Sequence, residues 1–220
     1  MCGRFSLGTT DLKAEYSLSH DAKIQPNYNI SPGMEVPVII SENGKRVFKM
    51  MRWGFQFSNK EGIVTTVINA KGETIFEKPM FNRSIQNKRC LIPATGFYEW
   101  QTTKQGKIPH NIFLKDQKLF SLGGIYRIET YEEIKIESVV IITTAPNTLM
   151  EKIHARMPLI INKLDEEAWL TSSNPVQVAS LLKPYPAESM DEVTVSREVN
   201  KTGNDGAQLV EEFSWEVGLK

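Results

Sequence analysis

The chain has 220 residues, 40% hydrophobic and 24% charged, which suits one ordinary globular domain and excludes a disordered or fibrous chain. Lysine plus arginine and aspartate plus glutamate each number 26, so the formal net charge is zero. That excludes the overall positive field of a non-specific nucleic-acid binder and leaves a local basic stripe open.

The first residues, Met-Cys-Gly-Arg-Phe-Ser-Leu, turn polar by 8–13 and lack the apolar centre of a secretory signal, so a cytoplasmic protein is expected. A helical pattern over 10–16 precedes apolar, β-branched runs at 36–41 and 46–53, which flank an Asn43-Gly44 turn. Further strands are expected at 64–69, 89–93, 96–101, 111–114, 119–126, 134–143 and 158–161. Short helices are expected at 74–78, 148–154, 163–170 and 175–182, with the proline-rich stretch 183–187 as a surface connection. The apolar runs 36–40 and 139–142 fall far short of the roughly 20 residues of a membrane helix. Without an internal repeat or a linker, residues 1–220 read as a single α+β domain with a mainly antiparallel, barrel-like sheet and a few short helices. No apolar seam suggests self-association, and a monomer is expected. Two cysteines are too few for a disulfide framework or a structural zinc site, and no cofactor is expected.

Cys2 is the residue with the most distinctive chemistry. Removal of Met1 ahead of a small residue leaves a cysteine carrying both a free α-amine and a thiol. An α-amine has a pKa of about 7.7–8.0 against about 10.4 for lysine, so far more of it is neutral at physiological pH. Such an amine attacks an aldehyde to give an imine, and the adjacent thiol closes a five-membered thiazolidine. The plain alternative is a frayed terminus.

Glu99 lies in Gly96-Phe97-Tyr98-Glu99-Trp100, where a strand puts it on the face of Phe97 and turns Tyr98 and Trp100 the other way. A carboxyl among aromatics is expected to be desolvated and able to carry protons near neutrality, unless it is an exposed edge residue paired with a lysine. His154, just before a Pro158-containing apolar strand, suits acid–base work or a structural role, and Arg156 suits a bidentate phosphate contact. Asn69 and Lys71 end a strand, placed for a carbonyl or sugar oxygen and for a phosphate, or simply forming a polar turn capped by Thr74. Trp53 and Phe55, around Gly54, could stack on exposed bases or belong to the core. Cys90 reads as a buried, inert thiol. Walker, Gly-x-Gly-x-x-Gly, His-Glu-x-x-His and Gly-x-Ser-x-Gly motifs are absent.

Eight segments, in order, resemble the SRAP family (SOS response-associated peptidase, or abasic-site processing proteins). They are Met1-Cys2-Gly3-Arg4-Phe5, Tyr28-Asn29-Ile30-Ser31-Pro32-Gly33, Trp53-Gly54-Phe55, Asn69-Ala70-Lys71-Gly72-Glu73-Thr74, Arg89 through Trp100, Thr143-Thr144-Ala145-Pro146-Asn147, His154-Ala155-Arg156-Met157-Pro158, and Val195-Ser196-Arg197-Glu198-Val199-Asn200. The resemblance implies an α+β fold that senses abasic sites in single-stranded DNA. It also implies a covalent thiazolidine crosslink through Cys2 that shields the lesion, with lyase, crosslink-reversal and autoproteolytic activity. It further implies that Glu99 assists imine formation and sugar opening, His154 moves the sugar-oxygen proton, and Asn69 holds the cysteine or the sugar. Arg4 and Arg156 would meet phosphates, with Lys71 doing so where the family carries arginine and thus without the bidentate fork. Trp53, Phe55 and the Pro32 loop would support a kinked strand. The replication machinery is a further implied partner, as is nucleoid association in a bacterial host. Cys2, Asn69, Glu99 and His154 also fit a cysteine peptidase acting chiefly on its own Met1, and a basic stripe with the aromatics would suffice for a non-covalent reader of modified DNA.

Overall fold

Runs such as Val139-Val140-Ile141-Ile142 have apolar residues at every position, which a strand tolerates only when both of its faces are covered. The computed structural model describes residues 2–58, 61, 64–104, 106–131 and 133–215. The chain opens with β1 (Phe5–Leu7), α1 (Lys13–Tyr16) and β2 (Asn27–Ile30), followed by the hairpin of β3 (Glu35–Glu42) and β4 (Lys45–Trp53). Three short strands follow, β5 (Phe55–Ser58), β6 (Val64–Val67) and β7 (Asn69–Lys71), then α2 (Pro79–Asn87). The central strands are β8 (Arg89–Ala94), β9 (Gly96–Thr103), β10 (Gly106–Leu114), β11 (Phe120–Tyr131) and β12 (Ile134–Thr144). The last elements are β13 (Met157–Pro158), β14 (Ile160–Ile161), α3 (Glu166–Thr171), α4 (Pro175–Ser180) and β15 (Met190–Thr194).

Strands β12, β4, β3, β8 and β11 close into a five-stranded barrel, because β11 pairs back onto β12. All of its pairings are antiparallel except β12 with β4, which run parallel; β7 adds to β12 in parallel as well. A second sheet, in the order β15-β10-β9-β1-β2, packs alongside. Val139 and Ile141 of β12 join one buried cluster with Phe5, Phe97 and Ile112 of the second sheet. Val140 and Ile142 face the other way, into a cluster with Tyr16, Phe81, Ile85, Trp169 and Val178 from the four helices. The alternation along one strand therefore serves two cores.

Trp53-Gly54-Phe55 divides these cores. Gly54 has φ +125, and a Cβ there would sit 2.6 Å from the Thr66 Cγ2, so only glycine makes this break between β4 and β5. Trp53 goes to the first core and Phe55 to the second. Gly96 has a similar steric basis: a Cβ would lie 2.5 Å from Asn111 Oδ1 where β9 passes β10.

The expected mainly antiparallel, barrel-like α+β fold is present. Several details differ. The helices expected at 74–78 and 148–154 are 3-10 turns, Gly72–Thr74 and Met150–Lys152. Helix α2 escaped the pattern because only Phe81, Ser84 and Ile85 of its nine residues are buried, leaving a thin apolar stripe. Among the described residues no helix is long and apolar enough to cross a membrane.

Candidate active site

The N-terminal strand is fixed along its length. Phe5 pairs with Phe97 and Ser6 with Gly96, and the Tyr98 amide donates to the Arg4 carbonyl at 3.0 Å. This pairing carries Cys2 to the part of β9 that bears Glu99. Cys2 is fully buried, and its carbonyl accepts a 2.9 Å hydrogen bond from Asn69 Nδ2. Asn69 is itself set by β7, whose parallel pairing places it beside Ile141. Burial pushes the Cys2 thiol pKa up, and the Glu99 charge raises it further, so the sulfur rests as a thiol.

Glu99 is 2% exposed. Burial raises its carboxyl above the usual range, against the opposing pull of His154. His154 Nδ1 lies 3.9 Å from Glu99 Oε2 and accepts from the Arg156 amide at 3.1 Å. Its imidazole is partly open to solvent. The four residues expected to carry chemistry, Cys2, Asn69, Glu99 and His154, thus converge from the segment just ahead of β1, from β7 and β9, and from the turn after β12. Met1 lies outside the described residues. Among the described residues no three or more His, Cys, Asp and Glu side chains gather as metal ligands do.

The raised Glu99 carboxyl has a thermodynamic consequence. A folded-state pKa above the unfolded one means that ionisation works against folding, so stability falls as pH rises from the unfolded carboxyl range through the folded value. Glu99→Gln removes that penalty. Thermal melting should show the variant more stable than the parent at about pH 8 and without that gain at about pH 4. An equal difference at both pH values would mean that the carboxyl is not perturbed.

The family model for SRAP, the SOS response associated peptidases, matches residues 1–202. The chain belongs to the SRAP family. Abasic site processing protein YoqW of Bacillus subtilis is 37% identical over 222 residues, covering 96% of this chain and 99% of that protein. Abasic site processing protein YedK of Escherichia coli is 27% identical over 225 residues, covering 96% and 99%. A crystal structure of a protein from Bacteroides thetaiotaomicron matches with TM-score 0.84 at 29% identity, covering 97% of this chain and 100% of that one.

Around the centre of this SRAP chain, the residues expected at DNA divide into two groups. Pro32 and Lys71 are exposed. Trp53 and Phe55 are fully buried, which corrects the expectation that they stack on bases: an indole or phenyl ring with no exposed surface has no free face. Trp53 instead packs on Phe5 with ring centroids 5.3 Å apart and donates from Nε1 to the Ile68 carbonyl at 3.0 Å. Its backbone also holds the exposed loop 32–34, through bonds between Gly33 N and Trp53 O and between Trp53 N and Met34 O, both 2.8 Å. Trp53 therefore sets β1, the Pro32 loop and the residue before Asn69 at once.

Arg4 also departs from expectation. Its Nη1 donates to Asn29 Oδ1 at 2.6 Å and to the Val199 carbonyl at 2.7 Å, so this largely buried guanidinium ties β1 to the chain's far end rather than standing free for a phosphate. Arg156 keeps a partly exposed fork but spends it on Glu73, at 2.6 and 2.8 Å, with a further bond to the Thr143 carbonyl. Glu73 was within the quoted family segment, yet nothing in the sequence paired it with Arg156. The contact comes from β7 lying beside β12.

Proposed function

We propose that this SRAP protein processes abasic sites in DNA by covalent capture, through a Cys2 made N-terminal by loss of Met1. The observation that carries this reading is the Asn69 amide on the Cys2 carbonyl, with the buried Glu99 carboxyl and His154 beside it. The similarity to relatives named abasic site processing proteins supports the same substrate. The substrate sugar of an abasic site opens to an aldehyde. The neutral Cys2 amine attacks its carbon, and the carbonyl oxygen gains a proton. Loss of that oxygen as water gives an imine. The sulfur then adds to the imine carbon while the thiol proton passes to nitrogen, which closes the thiazolidine with one water released overall.

Glu99 suits the proton traffic at nitrogen because burial raises its carboxyl above the usual carboxylate range, which makes it a readier proton carrier. His154 suits the sugar oxygen and would also serve reversal of the crosslink. The Pro32 loop and Lys71 present exposed surface to the strand. Arg156 would reach a phosphate only by exchanging its bonds with Glu73. We assign lyase activity and removal of Met1 to the same centre.

The test uses protein whose intact mass shows Cys2 first, incubated with a single-stranded oligonucleotide holding one abasic site, then denaturing electrophoresis. A retarded band that survives denaturation is expected. Its absence would overturn the covalent reading, and salt-sensitive binding without a covalent band would favour the non-covalent reader.

A further inference from the structure

The fork of Arg156 is already occupied, and its occupant has the acceptor geometry of another anion. Nη1 donates to Glu73 Oε1 at 2.6 Å and Nη2 to Glu73 Oε2 at 2.8 Å. Nη2 also donates to the Thr143 carbonyl at 2.7 Å, while Nε is buried without a hydrogen-bond partner. A planar guanidinium takes a phosphate through the same two parallel N–H bonds as a carboxylate, so the two anions compete for one seat. Arg156 lies two residues from His154, whose Nδ1 accepts from the Arg156 amide at 3.1 Å. The seat therefore adjoins the centre of the site.

The two partners of the fork differ in how they can leave. Thr143 belongs to β12, where it pairs with Lys71 of β7 on one side and Pro158 of β13 on the other, so its carbonyl is fixed. Glu73 sits in the 3-10 turn Gly72–Thr74, and its side chain is 50% exposed against 18% for Arg156. It can turn into water by side-chain rotation alone, at the small cost usual for an exposed ion pair. The hydrogen bond from Arg156 holds the Glu73 carboxyl below the usual range, so it stands as an anion at neutral pH. Lys71, exposed and in register with Thr143, puts a second cation at this stretch of β12.

Resting on the proposed capture of abasic strands, we propose that Glu73 is a built-in competitor for the phosphodiester backbone and sets how weakly the site holds DNA without a lesion. A strand gains the Arg156 contact only when its phosphate displaces the Glu73 carboxylate. An undamaged strand must offset that displacement from non-covalent contacts alone. A strand joined to Cys2 is held by a bond, so the displacement no longer decides how long it stays.

The test measures binding of a fluorescent, undamaged single-stranded oligonucleotide across a salt series for the parent, Glu73→Gln and Glu77→Gln. Glu77 is exposed on the chain just beyond the turn, so its variant makes the same change in net charge without touching the fork. Glu73→Gln should bind roughly threefold to fivefold more tightly than the parent at low salt, the scale of one exposed ion pair. Its slope of log affinity against log salt should steepen by about 0.7, the share of one added phosphate contact on a single strand. Glu77→Gln should show neither the full gain nor the steeper slope. In an Arg156→Gln background, Glu73→Gln should add no more than Glu77→Gln does. A Glu73→Gln variant that binds no better than Glu77→Gln, or binds with an unchanged slope, would overturn the proposal, because a merely structural clamp releases no phosphate seat. This assay needs no adduct. A steeper slope in a protein that forms no band with abasic DNA would overturn only the covalent reading, and a band with an unmoved slope only the competitor.

Discussion

Cys2→Ala should form no stable adduct with abasic single-stranded DNA. The variant keeps its α-amine, so the imine still forms, but an imine is hydrolysed back while a thiazolidine is not easily opened. The distinguishing result is therefore a pair of lanes. Without reductant, Cys2→Ala should give no retarded band on a denaturing gel; with borohydride, which fixes the imine, it should give one. The fold should survive, since loss of one buried sulfur removes about as much packing as one methyl-sized group, on the order of 1 kcal/mol. The Cys2 backbone, which supplies the carbonyl for Asn69, is unchanged. A borohydride-independent band at the parent's yield would remove the thiol from the mechanism.

The second large effect is expected at a residue that touches no substrate. Trp53→Ala should lower stability by about 3–5 kcal/mol, the usual range for emptying a buried aromatic site. Denaturant unfolding would read this as a lower midpoint at unchanged slope. The loss should exceed that of the exposed Met50→Ala on the same strand by several-fold, because Trp53 meets Phe5 and binds Ile68 while Met50 is 40% exposed. Crosslinking by the folded fraction should also slow, since β1 and the residue before Asn69 lose their common support. A stability change no larger than that of Met50→Ala would mean that the indole does not bear on the core.

The central strands were legible because β-branched and aromatic residues recur between clear turn residues, as in the hairpin of β3 and β4 around Asn43-Gly44. β1 and β2 were not legible. Phe5–Leu7 is three residues long, and its pairing with Phe97 and Ile30 is a long-range fact that no local pattern carries. Tyr98 turned away from Glu99 as the two-residue period required, into a small cluster with Val195 and Val199. The same period could not decide whether Trp53 and Phe55 met solvent or a core, because the chain supplies two cores on opposite faces.

For the site, residue types pointed to Cys2, Asn69, Glu99 and His154, and the fold brings them together. For Arg4 and Arg156 the fold adds partners that no local pattern carries: Asn29, Val199, Glu73 and Thr143 engage these two guanidinium groups.

The bond from Arg4 to the Val199 carbonyl joins positions 195 apart in sequence, and Asn29 Nδ2 reinforces it at the Lys201 and Asn204 carbonyls. During synthesis the ribosome delivers Cys2 almost two hundred residues before the carbonyl that locks its strand. The nascent chain thus spends most of its translation without this clasp on β1. It gains the clasp only when Val199 has been added, long after Ile30, Asn69 and Phe97, the other partners of this end, are in the chain.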